Sequence, residues 1–183
     1  MKNIVILASG NGTNARSIIN RLSGKCRIAA IISSRTDAGV VQIASESGIP
    51  CIVISRSSLA NGSAMDLLIG LKPDLVVLAG FLLMLPKDIT DMFRVVNVHP
   101  SLLPKFGGKG MHGMNVHRAV IESGEKESGI TIHWANESYD EGEIIAQFRC
   151  EVSESDTPEM LSAKIKELEL KNFTEVIFDL LNN

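Results

Sequence analysis

The sequence predicts an α/β protein built on a doubly wound, mostly parallel sheet, and three observations lead to that prediction. Residues 4–8 and 75–79 are continuous apolar runs, typical of parallel strands that are covered on both faces. Turns rich in glycine and segments of helical periodicity separate these runs, as in a βαβ chain. Residues 129–134 and 144–150 alternate apolar with polar side chains, which favours an antiparallel edge hairpin. A long C-terminal helix over residues 157–181 completes the predicted fold.

The other elements follow from periodicity and from capping signals. Strands are predicted at 27–33, 51–54 and 95–99, and helices at about 15–22, 40–47, 64–71 and 116–123, with a short helix whose first residue is Pro86. Residues 56–63 are predicted as a connection. Glu169 lies at the edge of the apolar stripe of the last helix, where a carboxylate needs a partner. That stripe consists of Leu161, Ile165, Leu168, Val176, Ile177 and Leu180.

Length, composition and charge restrict the possible functions. The 183 residues are 45% hydrophobic and 21% charged, so we expect one globular domain over residues 1–183. The net charge of −3, without a Lys/Arg run, argues against nucleic-acid or anionic-membrane partners. The longest apolar run, 75–85, is shorter than the roughly 18 residues of a membrane span. Cys26, Cys51 and Cys150 have no C-x-x-C spacing, which predicts reduced thiols, a cytoplasmic location and no metal site.

A glycine-rich turn joins the first strand to the first helix and reads Ser9-Gly10-Asn11-Gly12-Thr13-Asn14. Free backbone N–H groups and the helix dipole make such a turn an anion site, for which phosphate is the natural ligand. Gly10, Gly12 and Ala15 also fit the dinucleotide pattern G-x-G-x-x-A. The second strand then ends in Arg35 rather than in an acidic residue, and arginine can hold a 2′-phosphate. An NADP-binding oxidoreductase and an unoccupied turn therefore both stay open.

Polar side chains also follow two later strands. Asn97 and His99 alternate with Val96 and Val98, so they should project together at the carboxyl end of their strand. They are either a catalytic pair or polar residues that bind loop backbone. Asp140 follows the strand on which Thr131 and His133 share a face. The loop at 105–115 contains four glycines, which indicates either mobility or close approach to a ligand. An anion site beside Asn, His and Asp suits transfer between a phosphorylated substrate and an acyl donor.

Four stretches carry a family resemblance: Ser9–Asn14, Pro73-Asp74-Leu75-Val76-Val77-Leu78-Ala79-Gly80-Phe81, Asn97-Val98-His99-Pro100-Ser101-Leu102-Leu103-Pro104 and Tyr139-Asp140-Glu141-Gly142. In order and spacing they resemble the phosphoribosylglycinamide formyltransferase family, over nearly the whole chain. The resemblance implies a Rossmann-like formyltransferase fold and transfer of the formyl group of 10-formyltetrahydrofolate to the amine of glycinamide ribonucleotide. It implies small-molecule substrates, and we expect a monomer or a homodimer.

The resemblance also assigns roles to residues. Asn97 and His99 would stabilise the oxyanion of a tetrahedral intermediate, and Asp140 would hold the imidazolium of His99 and assist proton transfer. Thr131, His133 and His117 would support these groups, whereas the role of His112 stays open. The ribonucleotide would bind Gly10, Asn11, Gly12, Thr13, Asn14 and Glu169. The formylfolate would bind Leu82, Leu83, Met84, Leu85, Asn97, Asn136, Glu137, Ser138, Tyr139 and Asp140.

The sequence departs from many family members at two substrate contacts. Leu83 stands where many carry arginine, and the shortened segment 62–66 lacks an arginine that reaches the substrate. Formyltetrahydrofolate hydrolase resembles this domain but has an amino-terminal regulatory module, which we expect to be absent because Met1 leads directly into the first strand. Methionyl-tRNA formyltransferase needs a basic carboxyl-terminal domain, for which we expect no room. A formyltransferase for another amine and a non-catalytic phosphate-binding module are the remaining alternatives.

Overall fold

The computed structural model describes residues 1–182, in which seven strands form one sheet flanked by helices on both faces. In chain order the elements are β1 (Asn3–Ala8), α1 (Thr13–Arg21), β2 (Arg27–Ser33), α2 (Gly39–Glu46), β3 (Cys51–Val53), α3 (Arg56–Ala60), α4 (Ser63–Leu71), β4 (Leu75–Leu78), α5 (Lys87–Met92), β5 (Val95–His99), α6 (Met114–Glu122), β6 (Glu127–Trp134), β7 (Ile144–Glu151) and α7 (Pro158–Asn182).

The sheet has the order β3-β2-β1-β4-β5-β6-β7, parallel as far as β5 and antiparallel from β5 to β7. Because the chain turns back at β1, the loops after β1 and β4 diverge and leave a crevice at the carboxyl ends of the strands. The predicted fold class and the predicted edge hairpin are both confirmed.

Two apolar layers hold the helices on the sheet, and strand alternation decides which side chain enters which layer. On one face, Ile4, Ile6, Val96 and Val98 pack with α1, α2, α6 and α7. On the other face, Val5, Leu7 and Val95 pack with α3, α4 and α5. The side chains of Asn97 and His99 consequently leave the sheet on the opposite side from Val96 and Val98, as the alternation predicts.

Three local predictions need correction. Residues 56–63 contain the helix α3, because Ser55 and Ser58 form reciprocal side-chain-to-backbone caps, each 3.2 Å long. A five-residue helix is too short for apolar periodicity to reveal it. Pro86 is the N-cap of α5 rather than its first residue. The buried stripe of α7 also includes Phe173.

The described part of the chain contains no helix with both the length and the apolar character needed to cross a membrane. The cysteines Cys26, Cys51 and Cys150 are free thiols, and burial raises the pKa of each. Among residues 1–182, no group of three or more His, Cys, Asp or Glu side chains is arranged to hold a metal ion.

Candidate active site

A cavity of about 700 Å³ occupies the crevice at the carboxyl ends of β1, β4 and β5. Its walls come from the turn after β1, the segment after β4, the glycine-rich loop 108–113, the loop 135–140 after β6, and one side of α7. The sheet reversal therefore brings together segments that are far apart in the sequence. The polar groups predicted from three separate loops meet in this one cavity.

The amino terminus of α1 opens onto the cavity without a side-chain cap. Gly12 is its N-cap and has φ +75°, a backbone conformation that glycine adopts without strain. A Cβ atom at this position would lie 2.9 Å from Val40 Cα, so α2 also excludes a side chain here. The backbone N–H groups of the first turn have no helical acceptor, and the dipole adds positive potential. This turn can bind an anion.

Ser9 ties this turn to the neighbouring loops. Its hydroxyl is 3.2 Å from the backbone nitrogen of Leu82, from which it accepts a hydrogen bond, and 2.6 Å from Ser34 Oγ. Its backbone nitrogen donates to Gly80 O at 3.0 Å. Ser9 is buried, so these bonds are shielded from water. These bonds therefore fix the position of the anion-binding turn relative to Leu82 in the apolar wall.

Asn97 is oriented from the neighbouring strand by His133, its direct cross-strand partner. Nδ1 of His133 lies 2.9 Å from Trp134 O, a carbonyl that can only accept, so Nδ1 carries a proton. In the neutral ring Nε2 then accepts from Asn97 Nδ2 at 3.0 Å. The second Nδ2 hydrogen of Asn97 stays available for a ligand in the cavity.

His99 is buried between two acceptors. Its Nε2 lies 2.8 Å from Phe106 O, and its Nδ1 lies 3.3 Å from Asp140 Oδ2. Only an imidazolium, with a proton on each nitrogen, donates to both. Phe106 and Asp140 both have left-handed backbone, with φ of 56° and 60°. Two unusual loop conformations therefore aim these oxygens at the ring.

Asp140 is a carboxylate with several favourable neighbours. Burial alone would raise the pKa of Asp140, but the contact with the His99 ring and the hydrogen bond from Gly108 N–H outweigh that cost. The result is a pKa well below the usual range. Gly108 N donates to Oδ2 at 2.9 Å, and His133 Nε2 lies 3.7 Å from Oδ1. Asp140 is accordingly ionised at neutral pH.

Two further polar residues face the cavity from the helices. Glu169 accepts a hydrogen bond of 2.8 Å from Asn14 Nδ2. This bond is the partner that a carboxylate at the edge of the apolar stripe needs. Burial raises the pKa of Glu169, while the Asn14 bond acts in the opposite sense. His117 is buried on α6 and its Nδ1 has no partner within residues 1–182. Burial, then the nearby His99 charge, lowers the pKa of His117.

Comparison with known proteins shows the family to which the chain belongs. A family model described as formyl transferase matches residues 2–177. Phosphoribosylglycinamide formyltransferase of Haemophilus influenzae is 37% identical, and the similarity covers 97% of this chain and 86% of that protein. The chain belongs to the formyl transferase family, in its phosphoribosylglycinamide formyltransferase branch. The family predicted from the sequence is confirmed.

Further relatives support this family assignment. The chloroplastic phosphoribosylglycinamide formyltransferases of Arabidopsis thaliana and Vigna unguiculata are each 37% identical to this chain, of which they cover 96%. The chain spans 64% and 60% of their length. The crystal structure of the Coxiella burnetii formyltransferase has a TM-score of 0.90 at 33% identity, covering 99% of this chain and 87% of that one.

The cavity brings together most of the site residues predicted from the sequence. Side chains or backbone of residues 10–14, 82–85, 97, 99, 117, 133, 136, 138–140 and 169 line it. Glu137 does not, and its carboxylate lies 3.4 Å from Lys87 Nζ. Thr131 lies behind the wall, where its hydroxyl donates to Ser101 O and accepts from Leu103 N.

The structure also adds residues that the sequence analysis missed. Arg56 lines the cavity from α3, Lys109 lines it from the glycine-rich loop, and Ser162 and Lys166 line it from α7. Arg56 belongs to no sequence motif, and the sequence predicts its segment only as a connection. Arg35, the residue that kept an NADP site open, is not on the cavity wall and pairs with Asp37 at 2.7 Å.

Proposed function

We propose that the chain transfers the formyl group of 10-formyltetrahydrofolate to the terminal amine of glycinamide ribonucleotide. The observation that carries this proposal is the position of His99, held between Asp140 and Phe106 O in a cavity that also contains Asn97 and the open amino terminus of α1. Family membership supplies the class of reaction, and the cavity supplies an anion site beside donors for an oxyanion. Free thiols fit the cytoplasmic location that we also propose.

Asn97, His99 and Asp140 each have one role in the proposed reaction. The substrate amine attacks the formyl carbon, a C–N bond forms, and the former carbonyl oxygen becomes an oxyanion. Asn97 Nδ2 donates to that oxygen, and His99 stabilises it through the positive charge of its imidazolium, whose two N–H groups stay with Phe106 O and Asp140. Asp140 orients the water through which the proton of the ammonium formed by this attack passes to folate N10 as the old C–N10 bond breaks. The products are the formylated ribonucleotide and tetrahydrofolate.

The two substrates occupy opposite sides of the cavity in this proposal. The phosphate binds the first turn of α1, and Glu169 accepts from a hydroxyl of the ribose while Asn14 steadies its carboxylate. The pterin lies against Leu82–Leu85 and the backbone of 136–140, where apolar side chains meet exposed peptide groups. The Glu137 side chain, paired with Lys87, leaves only its backbone for this contact.

The proposed function is tested by following tetrahydrofolate formation from 10-formyltetrahydrofolate by absorbance, with and without glycinamide ribonucleotide. Release that requires the ribonucleotide supports the transferase. Release without any acceptor supports a hydrolase. Release that requires a different amine redirects the substrate assignment. No release under any condition contradicts formyl transfer and leaves a phosphate-binding module.

Replacing Asn14 with alanine is expected to weaken ribonucleotide binding selectively. The change removes the side chain that holds Glu169 and one donor beside the anion site. A hydrogen bond to a charged group contributes about 1.5–3 kcal/mol, so KM for the ribonucleotide should rise about tenfold or more, with KM for formylfolate unchanged. Inorganic phosphate should compete with the ribonucleotide. Asn20→Ala, on an exposed position of the same helix, is the control; equal effects of both variants would contradict the site.

Arg56 offers a cation for the carboxylates of the folate glutamate tail. It is exposed and lines the cavity, as does Leu83, the position that lacks the arginine of many members. Arg56→Ala should raise KM for 10-formyltetrahydrofolate about fivefold, since exposed ion pairs are weak. With 10-formyltetrahydropteroate, which has no tail, wild type and variant should be equal. Arg27→Ala at the opposite end of the sheet is the control; a tail-independent effect would contradict the assignment.

A further inference from the structure

A group of three hydrogen bonds, centred on the hydroxyl of Thr131, lies behind the cavity wall. Thr131 Oγ1 accepts from Leu103 N at 2.9 Å and from Gln147 Nε2 at 2.9 Å, and it donates to Ser101 O at 2.7 Å. A hydroxyl has one proton and two lone pairs, so its capacity is fully used. Thr131 is completely buried, which makes each of these bonds expensive to lose.

Gln147 reaches this group from the edge strand β7, directly opposite Thr131 in the β6–β7 ladder. Its amide nitrogen has a second acceptor, Leu103 O, at 2.9 Å. Both neighbours accept from Gln147, because the only proton of Thr131 already goes to Ser101 O. The nitrogen end of the amide must therefore face inward, and its two hydrogens serve the two acceptors.

Residues 101–106, which carry Ser101 O and the Leu103 backbone, also supply the carbonyl that contacts His99. Ser101 Oγ donates to Lys105 O at 2.7 Å and lies 3.5 Å from Phe106 O, the carbonyl that meets His99 Nε2. Phe106 has φ +56°, a conformation that a non-glycine residue keeps only when its surroundings hold it. The bonds to Ser101 O, Leu103 N and Leu103 O are what anchor residues 101–106 to β6 and β7.

We propose that Gln147 is a positioning residue for His99. Through Thr131 and residues 101–106 it fixes the Phe106 carbonyl, which in turn sets the His99 ring against Asp140. Gln147 does not touch the cavity, so it acts on the turnover step rather than on the binding of either substrate. The inference rests on the proposed catalytic role of His99.

Gln147→Glu tests the proposal with a nearly isosteric change. A carboxylate has no proton to donate and would face Leu103 O and Thr131 Oγ1, both acceptors. Its pKa should be raised, and its protonated form regains one donor at lower pH. We expect kcat to fall about 10- to 100-fold at alkaline pH and to recover towards acid pH, with both KM values little changed. Gln42→Glu, the same change on an exposed glutamine of α2, should keep the wild-type pH profile.

A second measurement does not depend on activity. Gln147→Met keeps the side-chain length and removes the amide, and the ring ¹⁵N resonances of His99 in the ligand-free protein should move relative to wild type. Unchanged His99 resonances, or a Gln147→Glu pH profile that superimposes on wild type, would overturn the proposal even if the melting temperature falls. If wild type transfers no formyl group, the proposed function fails, whereas the resonances still decide whether Gln147 positions His99.

Discussion

Asp140→Asn is expected to lower kcat by about 10²- to 10⁴-fold, the largest effect among single substitutions in this cavity. Asparagine keeps the shape of the side chain but can neither hold the imidazolium of His99 nor carry the proton from the amine. The wild-type carboxylate has a depressed pKa, so it is ionised throughout the neutral range. Titration of Asp140 itself should therefore add nothing to the pH dependence of wild-type kcat between about pH 6 and pH 9. Steady-state kcat across that range measures it.

The choice of asparagine matters because Asp140 has φ +60°. Asparagine adopts left-handed backbone readily, whereas alanine would add strain to the loss of the carboxylate. Asp140→Asn and wild type should thus have similar far-ultraviolet circular dichroism and similar KM for the ribonucleotide. Turnover within a factor of about three of wild type would show that Asp140 neither moves a proton nor supports His99.

His99→Gln is expected to lower kcat by about 10²- to 10³-fold, the cost of losing one group that stabilises the oxyanion. The glutamine amide can still reach Phe106 O, but the positive charge and the contact with Asp140 are lost. KM for both substrates should change little, because the lost interaction forms in the transition state. Initial rates at saturating substrates provide the measurement.

His99→Ala separates chemistry from packing in the same experiment. Alanine leaves a hole at a buried position and should lower the melting temperature more than glutamine does, while its kcat should be similarly low. If His99→Gln were nearly as active as wild type and only His99→Ala were slow, His99 would act through packing. The oxyanion would then depend on Asn97 alone.

The outline of the site was predictable because strand alternation has a fixed period. Asn97 and His99 had to share a face of β5, and Thr131 and His133 a face of β6, which the cross-strand pairs Asn97 with His133 and His99 with Thr131 bear out. The convergence of three loops followed from the doubly wound sheet. The family motifs then predicted the class of reaction.

Other parts of the site depend on loop backbone, which has no such period. The carbonyl that meets His99 comes from Phe106, and its left-handed φ cannot be inferred from a phenylalanine in a sequence. Arg56 was missed because a serine capping pair, rather than periodicity, makes its helix. The stripe of α7 placed Glu169 near the core, but only the packed structure identified Asn14 as its partner.

An arginine on α1, the first helix of the chain, contacts α7, the last helix. Arg21 donates to the carbonyls of Leu170 and Lys171 and pairs with Glu175, which holds α1 against α7; Asn14 and Glu169 on these two helices line the cavity. Asn97, His99 and Asp140, in contrast, lie on β5 and on the connection between β6 and β7. Under the proposed function, choice of amine and formyl chemistry would be encoded in separate stretches, so we expect substitutions in α1 and α7 to change the preferred amine without disturbing formyl transfer.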